Sequence, residues 1–191
     1  MNKFIMGRTF VIDACCTLNL LATGRELDIL DALDLKLLDT EFASKESLWL
    51  WTPPDEEGQR HQEPVSTTHL RRLGLLTETP LDTDELADAF VACVEHINDA
   101  DASCIALARV LRLPLVTDDR KERRIATMLF PELELVSTLD LFHEASANWT
   151  EQQRLEVAVA LRWRGNFAPP RRDPRADWYG SLLRRAGLSS V

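Results

Sequence analysis

The sequence predicts an α/β protein, a three-layer α/β/α sandwich with a mainly parallel central sheet, continued by a C-terminal helical and basic extension. Three observations predict it. Short apolar, β-branched runs at residues 9–12, 113–117 and 133–136 are too continuous for half-exposed strands and fit buried parallel ones. They alternate with helical patterns, and such alternation implies parallel pairing through right-handed crossovers. Finally, 191 residues with 45% hydrophobic content can bury a sizeable core, whereas no apolar run is long enough to span a bilayer.

The elements follow in order. Thr9-Phe10-Val11-Ile12 is a strand ending at Asp13, and Thr17 to Leu21 begins a helix that Gly24 interrupts. Leu27, Leu30, Leu33 and Leu37 keep helical spacing, although Leu35 to Leu38 also fits the start of a second strand. Ser44 to Trp51 reads as a short helix stopped by Pro53-Pro54, and the polar stretch Asp55 to Gln62 as an exposed loop or lid. Leu73 to Leu81 fits a strand. Asp82 or Thr83 then caps a helix with Leu86, Phe90, Val91, Val94 and Ile97 on its apolar face. Ala102 to Leu111 is helical, Leu113 to Thr117 is a strand, and Asp118-Asp119 closes it before a helix from Arg120 to Met128. Leu133 to Val136 repeats the strand, and Thr138 caps a helix through Phe142. Thr150 with Gln153 makes a capping box for a helix to about Arg164, and Pro169 to Pro174 is a stiff, basic, extended stretch. The expected division is residues 1–149 as one domain and 150–191 as a C-terminal helix and Pro/Arg-rich extension.

Charge and cysteine usage narrow the function classes. The net charge is −9, which disfavours a general nucleic-acid coating protein but allows a local basic surface. A basic segment offers one candidate: from Thr150 onward there are eight Arg against four acids, a net +4 that leaves −13 on residues 1–149. Met1 to Thr9 lack a signal-peptide core and cleavage site, so a cytoplasmic, non-membrane protein is expected. Cys15, Cys16, Cys93 and Cys104 form no CxxC pair and have no His at zinc-finger spacing, which predicts buried free thiols. His61, His69, His96 and His143 are scattered and are assigned no catalytic role.

Carboxylates at the strand ends carry the chemistry. Ligands of open parallel sheets bind beyond the carboxyl ends of the strands. Asp13 ends the first run, Asp118 and Asp119 end the run at 113–117, Asp99 and Asp101 open the helix before it, and Glu46 follows the presumed second strand. Carboxylates gathered in one cleft repel, so cations neutralise them or a pKa rises. Oxygen donors without His or Cys suit Mg²⁺ or Mn²⁺. Such ions activate water and stabilise a departing oxygen, which suggests phosphodiester hydrolysis. With 31 acids in the chain, chance placement competes: Asp101 also fits a helix cap and Asp118 a turn.

Three segments carry a resemblance. They are Phe10-Val11-Ile12-Asp13-Ala14-Cys15-Cys16-Thr17-Leu18-Asn19-Leu20-Leu21, Asp101-Ala102-Ser103-Cys104-Ile105-Ala106-Leu107-Ala108, and Leu113-Pro114-Leu115-Val116-Thr117-Asp118-Asp119-Arg120. In this order and separation, over roughly residues 8–145, the chain resembles the PIN-domain ribonucleases, which include VapC-type toxins. The resemblance implies a Mg²⁺- or Mn²⁺-dependent endoribonuclease acting on RNA, often restrained by an antitoxin. Asp13, Asp101 and Asp119 match the family's acids. The second acid lies in the least alignable stretch, where Glu46 is preferred over Glu41, and Asp99 and Asp118 are auxiliaries. The family commonly has a hydroxyl or amide residue where Cys15 stands, which leaves Thr17 or Asn19 to supply that polar group.

Other features sit outside the motifs. Arg162, Arg164, Arg171, Arg172 and Arg175 are candidate RNA-phosphate contacts, the last three above all, and Trp163, Trp178 and Tyr179 candidate base-stacking surfaces. A helix packed on the body by Leu155, Val159 and Trp163, with solvated Arg, is the competing reading. Trp49 and Trp51 fit a core, an antitoxin-binding surface or a homodimer contact. Two alternatives to the nuclease are a non-catalytic PIN-like module that binds RNA or protein, and a haloacid-dehalogenase-like phosphatase. The latter requires an Asp where Cys15 stands.

Overall fold

Arg8–Ile12 (β1) has apolar residues on both of its faces, and burying both requires helices above and below. A computed structural model describes residues 8–46, 48–170 and 172–188. After β1 come α1 (Ala14–Ala22), α2 (Glu26–Ala32), β2 (Leu35–Thr40), α3 (Glu41–Ser44), β3 (Trp49–Trp51), β4 (Gln62–Pro64), α4 (Thr68–Arg72) and β5 (Leu76–Thr79). They are followed by α5 (Asp84–Val94), α6 (Asp99–Leu111), β6 (Leu115–Val116), α7 (Arg120–Leu129), β7 (Leu135–Val136), α8 (Thr138–Ala145), α9 (Glu151–Trp163) and α10 (Ala176–Arg185). The main sheet has the order β5-β2-β1-β6-β7, and all its pairings are parallel. This is the α/β/α sandwich expected from the alternation of strands and helices.

The period of two in the strands sorts the core into two layers. Phe10 and Ile12 of β1, Leu35 and Leu37 of β2, Val116 of β6 and Val136 of β7 face one layer, with buried residues of α1, α2, α8, α9 and α10. Val11, Leu115 and the partly buried Leu38 and Leu135 face the other, with residues of α5, α6 and α7. Buried residues on both sides of position 150 share the first layer. Val157, Ala158, Leu161, Phe167, Tyr179, Leu182 and Leu183 join the cluster of Phe10, Leu20 and Phe142. Where α9 ends against α1, a Cβ on Gly165 would come within 3.2 Å of Leu161 O, Ala22 Cβ and Asn19 Oδ1, a close approach that a larger residue would have to push apart. Among the described residues, no helix is long and apolar enough to cross a membrane.

The topology also positions the site. The chain leaves β1 toward β2 and β5, then crosses back to β6 and β7 on the other side. Strand order therefore reverses between β1 and β6, and a crevice opens beyond their carboxyl ends. Ile12 pairs with Val116, so Asp13 and Thr117 emerge side by side at that crevice.

Several sequence expectations need correction. Residues 44–51 are not a helix: α3 stops at Ser44, and Trp49–Trp51 is β3, antiparallel to β4. Leu50 is buried while Trp49 is exposed, the alternation of a strand, and Trp51 N–H donates to Arg164 O at 2.9 Å. The loop at 55–62 is thus the tip of a hairpin ending in β4. Val91 is 58% exposed and leaves the apolar face of α5, where Cys93 takes its place. Ser137, not Thr138, caps α8, through a capping box with Asp140. The buried face of α9 is Val157, Ala158 and Leu161, with Leu155 and Trp149 packed at its edge. A second C-terminal helix, α10, follows the Pro/Arg stretch, where the sequence pattern points only to an extension. Cys16, Cys93 and Cys104 are buried free thiols as expected, but Cys15 is exposed.

Arg60 fastens the hairpin. Its guanidinium lies between the rings of Trp51 (5.1 Å) and Trp163 (5.2 Å), and it donates to Thr52 O and Trp163 O. Each cation–π contact is worth about 0.5–2 kcal/mol. Arg60→Ala is therefore expected to cost about 2 kcal/mol in urea unfolding. Amide exchange of Trp51 and Gln62 should quicken first, and unchanged exchange would contradict this fastening role.

Candidate carboxylate centre

Asp13 is the N-cap of α1 and is only 3% exposed. Its Oδ1 accepts Cys16 N–H, which an N-cap carboxylate does naturally. Burial, with the charge of Asp118 added, lifts its pKa to about 7. Asp101 sits in the first turn of α6, where Asn98 caps the helix and also donates to Asp101 Oδ2 at 2.9 Å. Asp119 is the N-cap of α7, and its Oδ1 accepts Lys121 N–H and Glu122 N–H. Glu46 follows α3 at the carboxyl end of β2 and is exposed. Helices that follow or precede parallel strands begin at this edge of the sheet, which is why separate helix starts meet there.

Mutual electrostatics link these acids. Partial burial of the otherwise solvent-reaching Cys15 thiol, and then the charges of Asp13, Glu46, Asp101 and Asp119, push it up to about 12. Burial, and then Asp119 and Glu46, raise the Asp101 carboxyl. The four acids chosen from the sequence thus all act electrostatically on one thiol. Among the described residues none of them forms an ion pair, unlike Asp39, which Arg71 holds with two hydrogen bonds. Glu41 is exposed and bound to Lys45 at 2.6 Å, and the charge of Glu46 but not that of Glu41 acts on Cys15.

The auxiliaries behave differently from one another. Asp118 is tied into the fold by Asn19 Nδ2 (3.1 Å), Cys16 Sγ (3.3 Å) and Thr138 N–H (3.0 Å). Burial raises its pKa. Asn19 therefore orients Asp118 rather than Asp13, and Thr17 Oγ1 donates to Asp13 O at 2.8 Å, not to the carboxylate. Neither substitutes for the polar group expected at Cys15. The Asp99 carboxylate is exposed at the start of α6 and has no hydrogen bond or ion pair among the described residues.

Sequence reasoning missed Glu122. It is fully buried, accepts the Thr117 hydroxyl on Oε2, and leaves Oε1 without a partner. Burial and then the charge of Asp13 raise its pKa well above the carboxylate range. A signal existed: Glu122, Ile125, Ala126 and Leu129 share one face of α7 at spacings of three and four.

The C-terminal candidates divide. Arg171 lies outside the described residues. Arg175 is engaged with Asp140 (3.4 Å) and Glu144 (3.3 Å), so it serves the fold and is not free for RNA. Tyr179 is buried with its hydroxyl on Ala158 O, and Trp178 packs on Phe142, which corrects their reading as stacking platforms. Trp163 is engaged by Arg60. Arg172 is exposed.

Among the described residues, no three His, Cys, Asp or Glu side chains already stand close enough to hold a metal ion. The donor set nonetheless suits a hard cation. It consists of carboxylate oxygens alone, and the charges of Asp119 and Glu46 raise the proton affinity of Asp101. No protein-family model matches the chain, and no curated protein sequence matches it.

Proposed function

We propose that this protein is a PIN-type endoribonuclease dependent on Mg²⁺ or Mn²⁺, which hydrolyses phosphodiester bonds of single-stranded or structured RNA. The observation that supports it best is a set of four acids, none ion-paired among the described residues, whose charges act together on Cys15 near the switch point of a parallel sheet. Asp13, Asp101, Asp119 and Glu46 would hold the ion. When bound, it would supply charge neutralisation for the scissile phosphate and a more acidic water. The chain itself contributes orientation. Cys16 N–H fixes Asp13, the α7 N–H groups fix Asp119, and Asn98 fixes Asp101. Role as the toxin of a pair, with an antitoxin as partner or a homodimer as the working form, belongs to the same reading.

The test is cleavage of labelled RNA with Mn²⁺, abolished by EDTA; activity that survives EDTA would reject the mechanism. Glu46→Gln should lower the rate about tenfold or more, by analogy with perturbed metal ligation. Glu41→Gln should stay near wild type. Equal effects of the two would remove Glu46 from the site.

A second reading, a PIN-like module that binds RNA or protein without cutting, is favoured by one observation. The exposed Cys15 stands among the acids where the family commonly has a hydroxyl or amide residue, and neither Thr17 nor Asn19 replaces it. Tight RNA binding with no Mn²⁺ uptake in calorimetry would select it.

A further inference from the structure

Beside the acids lies a cavity of about 550 Å³, lined by Asp118, Arg120, Arg123, Pro170, Arg172 and Pro174, among others. Its inner wall is the segment that closes β6, and its outer wall is the chain between α9 and α10. Its size is in the range of pockets that hold one small-molecule unit.

The charges in the wall are unequal in availability. Asp118 is spent on Asn19, Cys16 and Thr138. Asp140 Oδ2 accepts Ser137 N–H and its hydroxyl, and Oδ1 accepts Arg175. Asp173 accepts Arg175 N–H at 2.7 Å. By contrast, Arg120 and Arg172 are exposed and have neither an acid nor a carbonyl partner among the described residues. Arg123 donates from Nη1 to Thr117 O (2.7 Å) and Val136 O (3.2 Å), and no carboxylate pairs with it. Free guanidiniums recognise phosphate oxygens. The two prolines add apolar faces.

The outer wall is also held in place. Arg175 pairs with Asp140 and Glu144 of α8, and Tyr179 and Leu182 anchor α10 in the core. Arg172 therefore lies just before a helix that is held against the body.

We infer that this cavity receives a phosphate-bearing nucleotide of single-stranded RNA next to the one cut at the carboxylate centre, gripped by Arg120 and Arg172. The identity of the anion as RNA rests on the ribonuclease reading. The chain carries a net charge of −9 and the wall itself sets three Asp against three Arg, so the two exposed arginines, unpaired among the described residues, are what give the phosphodiester chain a place to land beside the acids.

The experiment measures anisotropy of a fluorescein-labelled single-stranded RNA on the full chain carrying Asp13→Asn, in EDTA, across a salt series. Arg120→Ala with Arg172→Ala is expected to weaken binding about tenfold or more at low salt. The slope of log affinity against log salt should fall by about 1.4, since each phosphate contact on a single strand contributes about 0.7. An unchanged affinity and slope would overturn the inference. Displacement of the RNA by a polyglutamate peptide at equal charge would also overturn it, marking a site for an acidic protein instead. Melting of the double variant checks folding, and a wild-type value is expected because neither arginine has a partner to lose. Failure of the two readings is separable. Arginine-dependent binding without Mn²⁺-dependent cleavage in the wild type rejects the nuclease and keeps the pocket. Cleavage and binding indifferent to both arginines keeps the nuclease and rejects the pocket.

Discussion

Asp13→Asn is expected to abolish cation-dependent RNA cleavage and, in EDTA, to raise the melting temperature. Asparagine keeps the N-cap, since its side-chain oxygen can still accept Cys16 N–H. It removes a carboxylate buried beside Asp118 and Glu122. The Asp13 pKa is raised from 3.8 to about 7. Between those values the folded state binds more protons than the unfolded state, so wild-type stability falls as pH rises. Below about pH 4 the carboxyl is neutral in both states and costs nothing. The advantage of Asn therefore grows from about pH 4 to pH 7 and then levels off. Its size at pH 8 is on the order of 2 kcal/mol, under a ceiling of about 4 kcal/mol at ~1.4 kcal/mol per pKa unit. For a chain of this length that corresponds to roughly 5 °C. Cleavage should drop roughly 10³-fold, the scale of losing a group that stabilises transition-state charge. A variant that is less stable at pH 8, or that cuts RNA within tenfold of wild type, would contradict the assignment of Asp13.

Truncation after Trp149 is expected to abolish cooperative folding. The sequence suggests an appendage from Thr150, because composition changes there and the family resemblance stops near residue 145. The structure places Val157, Leu161, Phe167, Tyr179, Leu182 and Leu183 in the main hydrophobic layer. Burial of each such side chain stabilises by about 1.5–3 kcal/mol. Their joint loss is on the order of 10 kcal/mol, comparable to a typical net stability of about 5–15 kcal/mol. Residues 1–149 should show no sharp thermal transition and should bind hydrophobic dyes. A truncated chain with a cooperative transition and dispersed amide resonances would restore the appendage reading.

The legible parts of the fold were those fixed by local pattern. β1, β6 and β7 announced themselves through continuous apolar runs, and α9 through a capping box that the structure contains. The acids at the ends of β1 and β6 were legible because strand-end position follows directly from those runs. β3 was not, since the three residues of Trp49–Trp51 are a strand only through pairing with β4 and Arg164 O. Helix α10 was hidden by the neighbouring Pro/Arg stretch, although Trp178, Tyr179, Leu182 and Leu183 recur at helical spacing. Glu122 was concealed for a different reason. In a helix as basic as α7 a glutamate reads as solvated despite sharing the face of Ile125 and Ala126, and the packing of that helix on the sheet places it against Thr117.

Titration of the metal-free protein with Mn²⁺, read by calorimetry and by melting temperature in parallel, addresses the carboxylate centre most directly. The wild type should release or absorb heat and should gain stability with rising Mn²⁺, by about 2.7 kcal/mol at a hundred times the dissociation constant. Asp101→Asn and Asp119→Asn should lose most of that gain while remaining folded. A wild-type protein that shows neither heat nor a shift in melting temperature would mean that these acids do not form a cation site.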